Sequence, residues 1–191
     1  MSQENVELMR RGYERWKATG EIRAHPDLVW DVSRLGWPDR QVYSGPEGAN
    51  QFNAEWADAW DDWELAPEDY IDAGESVVVI VNQRGRSKAT GIPINMRFAQ
   101  VWSFRDGHAV RMQMYASVDE ALEAVLQAYE AADRESSIRD KRWLVEHIPH
   151  VKPPQMERLA KLGVIVSTNM AGYAGNYDAA VRTLGRDQAE R

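Results

Sequence analysis

Apolar residues change period along this chain, and the changes mark its parts. Val6, Met9, Tyr13 and Trp16 recur at helical spacing and share one face. Ser2 suits the N-cap of that helix and Gly20 its stop. Residues 25–44 hold no sustained period, only a short apolar strand at Leu28-Val29-Trp30. Pro46, which has no N–H to lose, opens a second helix whose stripe is Ala49, Phe52, Trp56, Trp60 and Trp63. From Glu64 the period is two. Four strands are expected, near 64–72, 77–90, 94–105 and 108–116. Turns at Ala73-Gly74-Glu75-Ser76 and Asp106-Gly107 separate them, with a break at Gly91-Ile92-Pro93. Sequential strands joined by tight turns pair antiparallel. Ser117 and Glu120 stand at capping-box spacing ahead of a third helix striped by Leu122, Val125, Leu126 and Tyr129.

The last third follows another pattern. Residues 131–141 are polar and mark a boundary. Trp143-Leu144-Val145 reads as a strand, Met156, Leu159 and Leu162 as a helix stopped by Gly163, and Val164-Ile165-Val166 as a second strand. That is a strand–helix–strand unit, as in parallel sheets. From Ala171 the chain is small and polar, and poor order is expected there. The fold class is therefore α+β: an antiparallel sheet with helices on one face, plus a C-terminal appendage.

Composition narrows the functions. The 191 residues are 43% hydrophobic, enough for a core. There is no cysteine, so disulfides and thiolate sites are excluded, which fits a reducing cytoplasm. No signal-like or membrane-length apolar run occurs, so neither secretion nor a membrane partner is expected. A net charge of -7 repels phosphate backbones and argues against nucleic acid. Eight tryptophans offer large apolar surfaces to a core or a ligand pocket alike.

The strand from Ile94 to Phe104 is the most informative. Alternation puts Ile94, Met96, Phe98, Gln100, Trp102 and Phe104 on one face. Gln100 is the polar exception, and a buried amide needs a hydrogen-bond partner. Two readings stand: it meets a ligand in a cavity, or it bonds a neighbouring group. Val110, Met112 and Met114 are expected on the same inward face, where a methionine wall adapts to varied apolar shapes or simply fills a core.

Several stretches resemble the NTF2-like superfamily, especially its SnoaL-like and ketosteroid-isomerase-like members. They are Glu4 to Tyr13, Val29-Trp30-Asp31, Tyr43-Ser44-Gly45-Pro46-Glu47-Gly48 and Phe98 to Gly107, together spanning about residues 3–125. The resemblance implies a cone: a bent sheet holding helices around an apolar pocket, with a homodimer formed through the outer sheet face. It implies a small apolar molecule as partner and no cofactor. Trp30, Phe52, Trp56, Trp60, Met96, Phe98, Trp102, Met112 and Met114 are the candidate pocket residues. Three positions are similar to the isomerase catalytic set: Asp31 as general base, Tyr13 as oxyanion donor, and Gln100 where those enzymes place a protonated carboxylic acid. A base and two donors around an apolar pocket suit isomerase- or cyclase-type proton transfer beside a carbonyl. Two features depart from the family. Glutamine has no acidic O–H. The stretch from Gly20 to Asp31 is about half a dozen residues shorter than the resemblance leads one to expect, which removes most of a pocket-lining helix and displaces Asp31.

Residues 142–151 and 159–167 resemble a piece of a barrel-type metal-dependent amidohydrolase, in which the position of His147 is a metal ligand. The chain has only four histidines, His25, His108, His147 and His150, and one strand–helix–strand unit cannot close an eight-fold barrel. No metal is expected. The expected division is a pocket domain over 1–126 and an incomplete amidohydrolase-like fragment over 127–191, joined through the helix near Val118. A non-catalytic binding or dimerisation module is the competing class. The geometry of Asp31 separates it from an enzyme, because a base must enter the cavity near Gln100.

Overall fold

A computed structural model describes residues 2–35, 41–146 and 151–167. The chain runs α1 (Ser2–Thr19), β1 (Val29–Asp31), β2 (Val42–Ser44), α2 (Gly45–Asp58), β3 (Trp60–Ala73), β4 (Ser76–Ser87), β5 (Pro93–Arg105), β6 (His108–Tyr115) and α3 (Val118–Glu135). A 3-10 turn (Arg139–Lys141), β7 (Leu144–Glu146), α4 (Pro153–Lys161) and β8 (Ile165–Ser167) follow. Strands β1 to β6 form one curved sheet in the order β2-β1-β6-β5-β4-β3, while β7 and β8 pair separately and parallel. The strand–helix–strand expectation for the C-terminal unit holds at every element.

The main hairpins follow the period-two signal. β3, β4, β5 and β6 pair antiparallel in sequence order. The sheet is nevertheless mixed, because β1 lies parallel to β6, with Trp30 beside Met112. A second departure concerns Trp60 and Trp63. They fit the stripe of the second helix, yet α2 ends at Asp58 and both belong to β3. Pairing with β4 outward to Ser87 satisfies backbone groups that one more helical turn would leave open. Gly85 of β4 makes this possible: a Cβ there would lie 2.8 Å from the Cβ of Trp63.

Two apolar cores lie on opposite faces of the sheet. The inner one joins α1 and α2 to Val77, Val79, Val81, Phe98, Trp102, Phe104, Met112 and Met114. The outer one joins α3 to Val78, Ile80, Ala99 and Val101, and continues into Ile138, Val145, Leu159, Leu162 and Val164. Helices therefore cover both faces, not one. The outer face, expected to hold a second copy, is occupied by α3 and the C-terminal unit. The expected division at residues 126 and 127 falls inside α3. Ser117 caps that helix, accepting from the Glu120 amide at 3.2 Å. Arg158 of α4 clamps it, donating to Glu123 at 2.7 Å and to Glu130 at 2.7 and 2.9 Å. No helix among the described residues is long and apolar enough to cross a membrane.

Candidate functional site: an indole-lined cavity

Alternation along β5 brings Phe98, Gln100, Trp102 and Phe104 to the inner face, as the sequence predicts. β6 departs from its pattern by one residue. Ser103 pairs with Arg111 but Phe104 with Ala109, so Val110 is the extra residue of a bulge. Ala109 takes the inward place expected for Val110, while Met112 and Met114 stay inward.

Between this face, α1 and α2 lies a cavity of about 490 Å³. Pockets of roughly 300–1,000 Å³ take small organic molecules. Five of its walls are indoles: Trp16, Trp30, Trp56, Trp63 and Trp102. Phe52, Met114, Tyr13 and Gln100 also line it. Trp60, Met96, Phe98 and Met112, expected as pocket residues, belong to the surrounding core and do not line it. Trp16, Trp63 and Leu65 do, and were missed. The sequence pattern puts Trp16 and Trp63 on helical stripes and Leu65 in a strand, with no signal that the three share a cavity.

The segment between α1 and β1 forms one wall, through Ile22, Ala24, His25 and Pro26. It is irregular, in keeping with the shortened stretch noted in the sequence. Two asparagines of α2 hold it. Asn50 accepts from the Ile22 amide at 2.9 Å and donates to the Ile22 carbonyl at 2.8 Å. Asn53 donates to the Gly20 carbonyl and accepts from the Trp16 indole at 2.9 Å.

Gln100 finds its hydrogen-bond partners in neighbouring side chains, one of the two alternatives its buried amide leaves open. The Tyr13 hydroxyl donates to Gln100 Oε1, and Trp102 Nε1 donates to the same oxygen at 3.1 Å. An indole N–H can only donate, so the atom it faces is the amide oxygen. The Gln100 amide nitrogen makes no hydrogen bond among the described residues. Burial, with a smaller contribution from Tyr70, pushes the Tyr13 phenol far above its usual range, so it stays protonated. The indole nitrogen of Trp30 is buried and has no partner among the described residues.

Asp31 is the clearest correction. Its neighbour Trp30 lines the cavity, but Asp31 alternates to the opposite face. Arg111 donates to its carboxylate at 2.8 Å, the Ser33 hydroxyl at 2.6 Å and the Ser33 amide at 3.1 Å. Burial alone would raise its pKa, but the Ser33 bonds and Arg111 outweigh burial and hold it below the usual carboxylate value. Asp31 is thus a weak base turned away from Gln100. No aspartate or glutamate among the described residues lines the cavity. The ionisable residues that do, besides Tyr13, are Arg11, Arg15, Arg23, His25 and His108, with the two imidazoles stacked 4.9 Å apart. His147 and His150, and the stretch from Ala171, lie outside the described residues.

A sheet wrapped over helices around such a cavity defines a small-molecule-pocket class of protein. The chain belongs to the SnoaL-like domain family, whose model matches residues 11–112. Solved structures share the fold. A putative SnoaL-like polyketide cyclase from Jannaschia sp. CCS1 is 20% identical, covering 65% of this chain and 92% of its own, with a TM-score of 0.50. An NTF2-like protein from Burkholderia thailandensis E264 is 19% identical, covering 63% and 95%, with a TM-score of 0.51. TerC, co-crystallised with polyporic acid, is 22% identical, covering 64% and 98%, with a TM-score of 0.50. Among curated proteins, Protein LONG AFTER FAR-RED 3 of Arabidopsis thaliana is 25% identical over 84 residues. That match spans 44% of this chain and 14% of the relative's length.

Proposed function

We propose that this chain binds a small aromatic or polycyclic molecule in the indole-lined cavity and anchors its polar end on the Gln100 amide. The observation that carries this reading is the cavity itself. Five indoles supply flat apolar walls, and one buried amide offers an unspent N–H pair beside them. Its oxygen is already occupied by Tyr13 and Trp102, so Gln100 presents donors to the ligand and accepts nothing from it. A carbonyl, quinone or ether oxygen fits that demand.

Proton transfer by Asp31 forms no part of this proposal, because its carboxylate is spent on Arg111 and Ser33 on the other face. Binding without chemistry is the simpler reading. The amidohydrolase-like reading of residues 127–191 gains no support from the family match, which covers residues 11–112, and forms no part of this proposal. The test is solvent deuterium exchange into a panel of polycyclic ketones, run beside tryptophan-fluorescence titration of the same compounds. Binding without exchange is expected. Exchange that survives Asp31→Asn and disappears in His108→Gln would replace the binding module with an enzyme using an imidazole base. No binding by any member of the panel would sink the proposal.

A further inference from the structure

The charge around the cavity runs against the charge of the chain. The protein carries a net charge of -7. Yet Arg11, Arg15 and Arg23 line the cavity, as do two histidines, and no described acidic residue does. Arg11 is partly neutralised by Glu7, 3.3 Å away in the preceding turn. Arg15 and Arg23 differ: their guanidinium groups make no ion pair or hydrogen bond among the described residues, and both residues are exposed. Arg97 meets Glu68 at 2.7 Å and Arg158 two glutamates, while Arg84 and Arg105 also make no ion pair among the described residues, so what sets Arg15 and Arg23 apart is their place on the cavity. Two unpaired guanidiniums on one cavity, Arg15 on α1 and Arg23 eight residues later beyond its end, offer planar donors to an anion.

We infer that the ligand is an amphiphilic anion, with an aromatic body among the indoles and a carboxylate or enolate held at the rim by Arg15 and Arg23. This rests on the binding reading above and deepens it. The Gln100 amide and the arginines then take different parts of one molecule: a neutral oxygen inside and the charge at the edge. Placing the charge at the rim avoids the desolvation that a buried carboxylate would suffer. Exposed pairs are individually weak, so the arginines select among ligands more than they hold them.

Isothermal titration calorimetry with three isosteric probes tests this: biphenyl-4-carboxylate, biphenyl-4-carboxamide and 4-biphenylmethylamine. The carboxylate should bind about tenfold tighter than the amide, as two rim pairs allow, and the amine should bind weakest. Raising sodium chloride from about 20 to about 500 mM should erase most of that preference. In an Arg15→Gln/Arg23→Gln variant the carboxylate-to-amide ratio should fall to within about twofold. Equal binding of carboxylate and amide, or a preference that survives in the variant, overturns this inference and leaves the binding reading standing. Failure of all three probes to bind overturns both.

Discussion

Trp30 and Asp31 are neighbours in the chain and sit on opposite faces of the sheet. A strand turns each successive side chain over, so one residue of register decides which of them meets a ligand. Here the indole goes inward and the carboxylate joins Arg111 and Gln113 on the other face. Asp31→Asn should therefore lower stability and leave ligand affinity unchanged. Arg111 is 48% exposed, so water screens the pair and the loss should be about 1 kcal/mol in urea unfolding. A fall in affinity would place Asp31 back at the cavity. The pH dependence follows from the sign of the shift. Asp31 is depressed in the folded state, so its stabilisation is complete above the ordinary carboxyl value of about 3.9 and drains away as pH falls through its own lower value. Asp31→Asn should flatten the wild-type stability profile in that acid window and nowhere above it. Tyr13→Phe is the inner-face counterpart. It leaves Gln100 Oε1 with Trp102 as donor, so about 1 kcal/mol of stability should be lost in the same measurement.

At the scale of elements, the cavity depends on a wall that has no regular structure. Residues 21–28 stand beside α2 because Asn50 answers both the N–H and the C=O of Ile22. Asn50→Ala removes both bonds and should cost about 1–2 kcal/mol. The more telling readout is local: hydrogen exchange at the Ile22 amide should accelerate at least about tenfold, and affinity for aromatic ligands should weaken with it. Unchanged exchange at Ile22 would mean that the wall stands without its clamp. This wall shows where the sequence stops being legible. The strands and hairpins were readable because period two and Asp106-Gly107 are local signals, and α1 because its stripe ends in a glycine with φ +72. One polar residue on an apolar face showed that Gln100 needs a partner, but nothing in the pattern named Tyr13 or Trp102 as that partner. The clamp had no such signal: Asn50 looks like any polar helix residue until Ile22 is beside it. Trp60 and Trp63 follow Trp56 at spacings of four and three, which also fit a helix, and only pairing across to β4 decides for a strand. The bulge at Val110 was equally hidden, since it arises from the β5 register.

At the scale of the molecule, the sheet has two faces and the chain covers both with its own residues. α1 and α2 close the inner face around the cavity. On the outer face, α3 carries the C-terminal unit, whose Val145, Leu159, Leu162 and Val164 complete one core with Val78, Ile80, Ala99 and Val101. A homodimer through that face would have to displace this unit, giving up buried apolar area and the Arg158 clamp on Glu123 and Glu130. We therefore expect sedimentation equilibrium to return the mass of one chain. Leu159 supplies the converse experiment. Leu159→Asp places a carboxylate in the outer core and should detach the unit, since an unpaired buried charge is costly. The bared outer face should then self-associate, and limited proteolysis should cut first between residues 136 and 142, where the chain leaves α3. Ligand affinity should persist, because the cavity lies on the other face. A wild-type dimer would mean that the C-terminal unit supplements a second copy instead of replacing it. A Leu159→Asp variant that stays monomeric and protease-resistant would mean that α3 alone is cover enough.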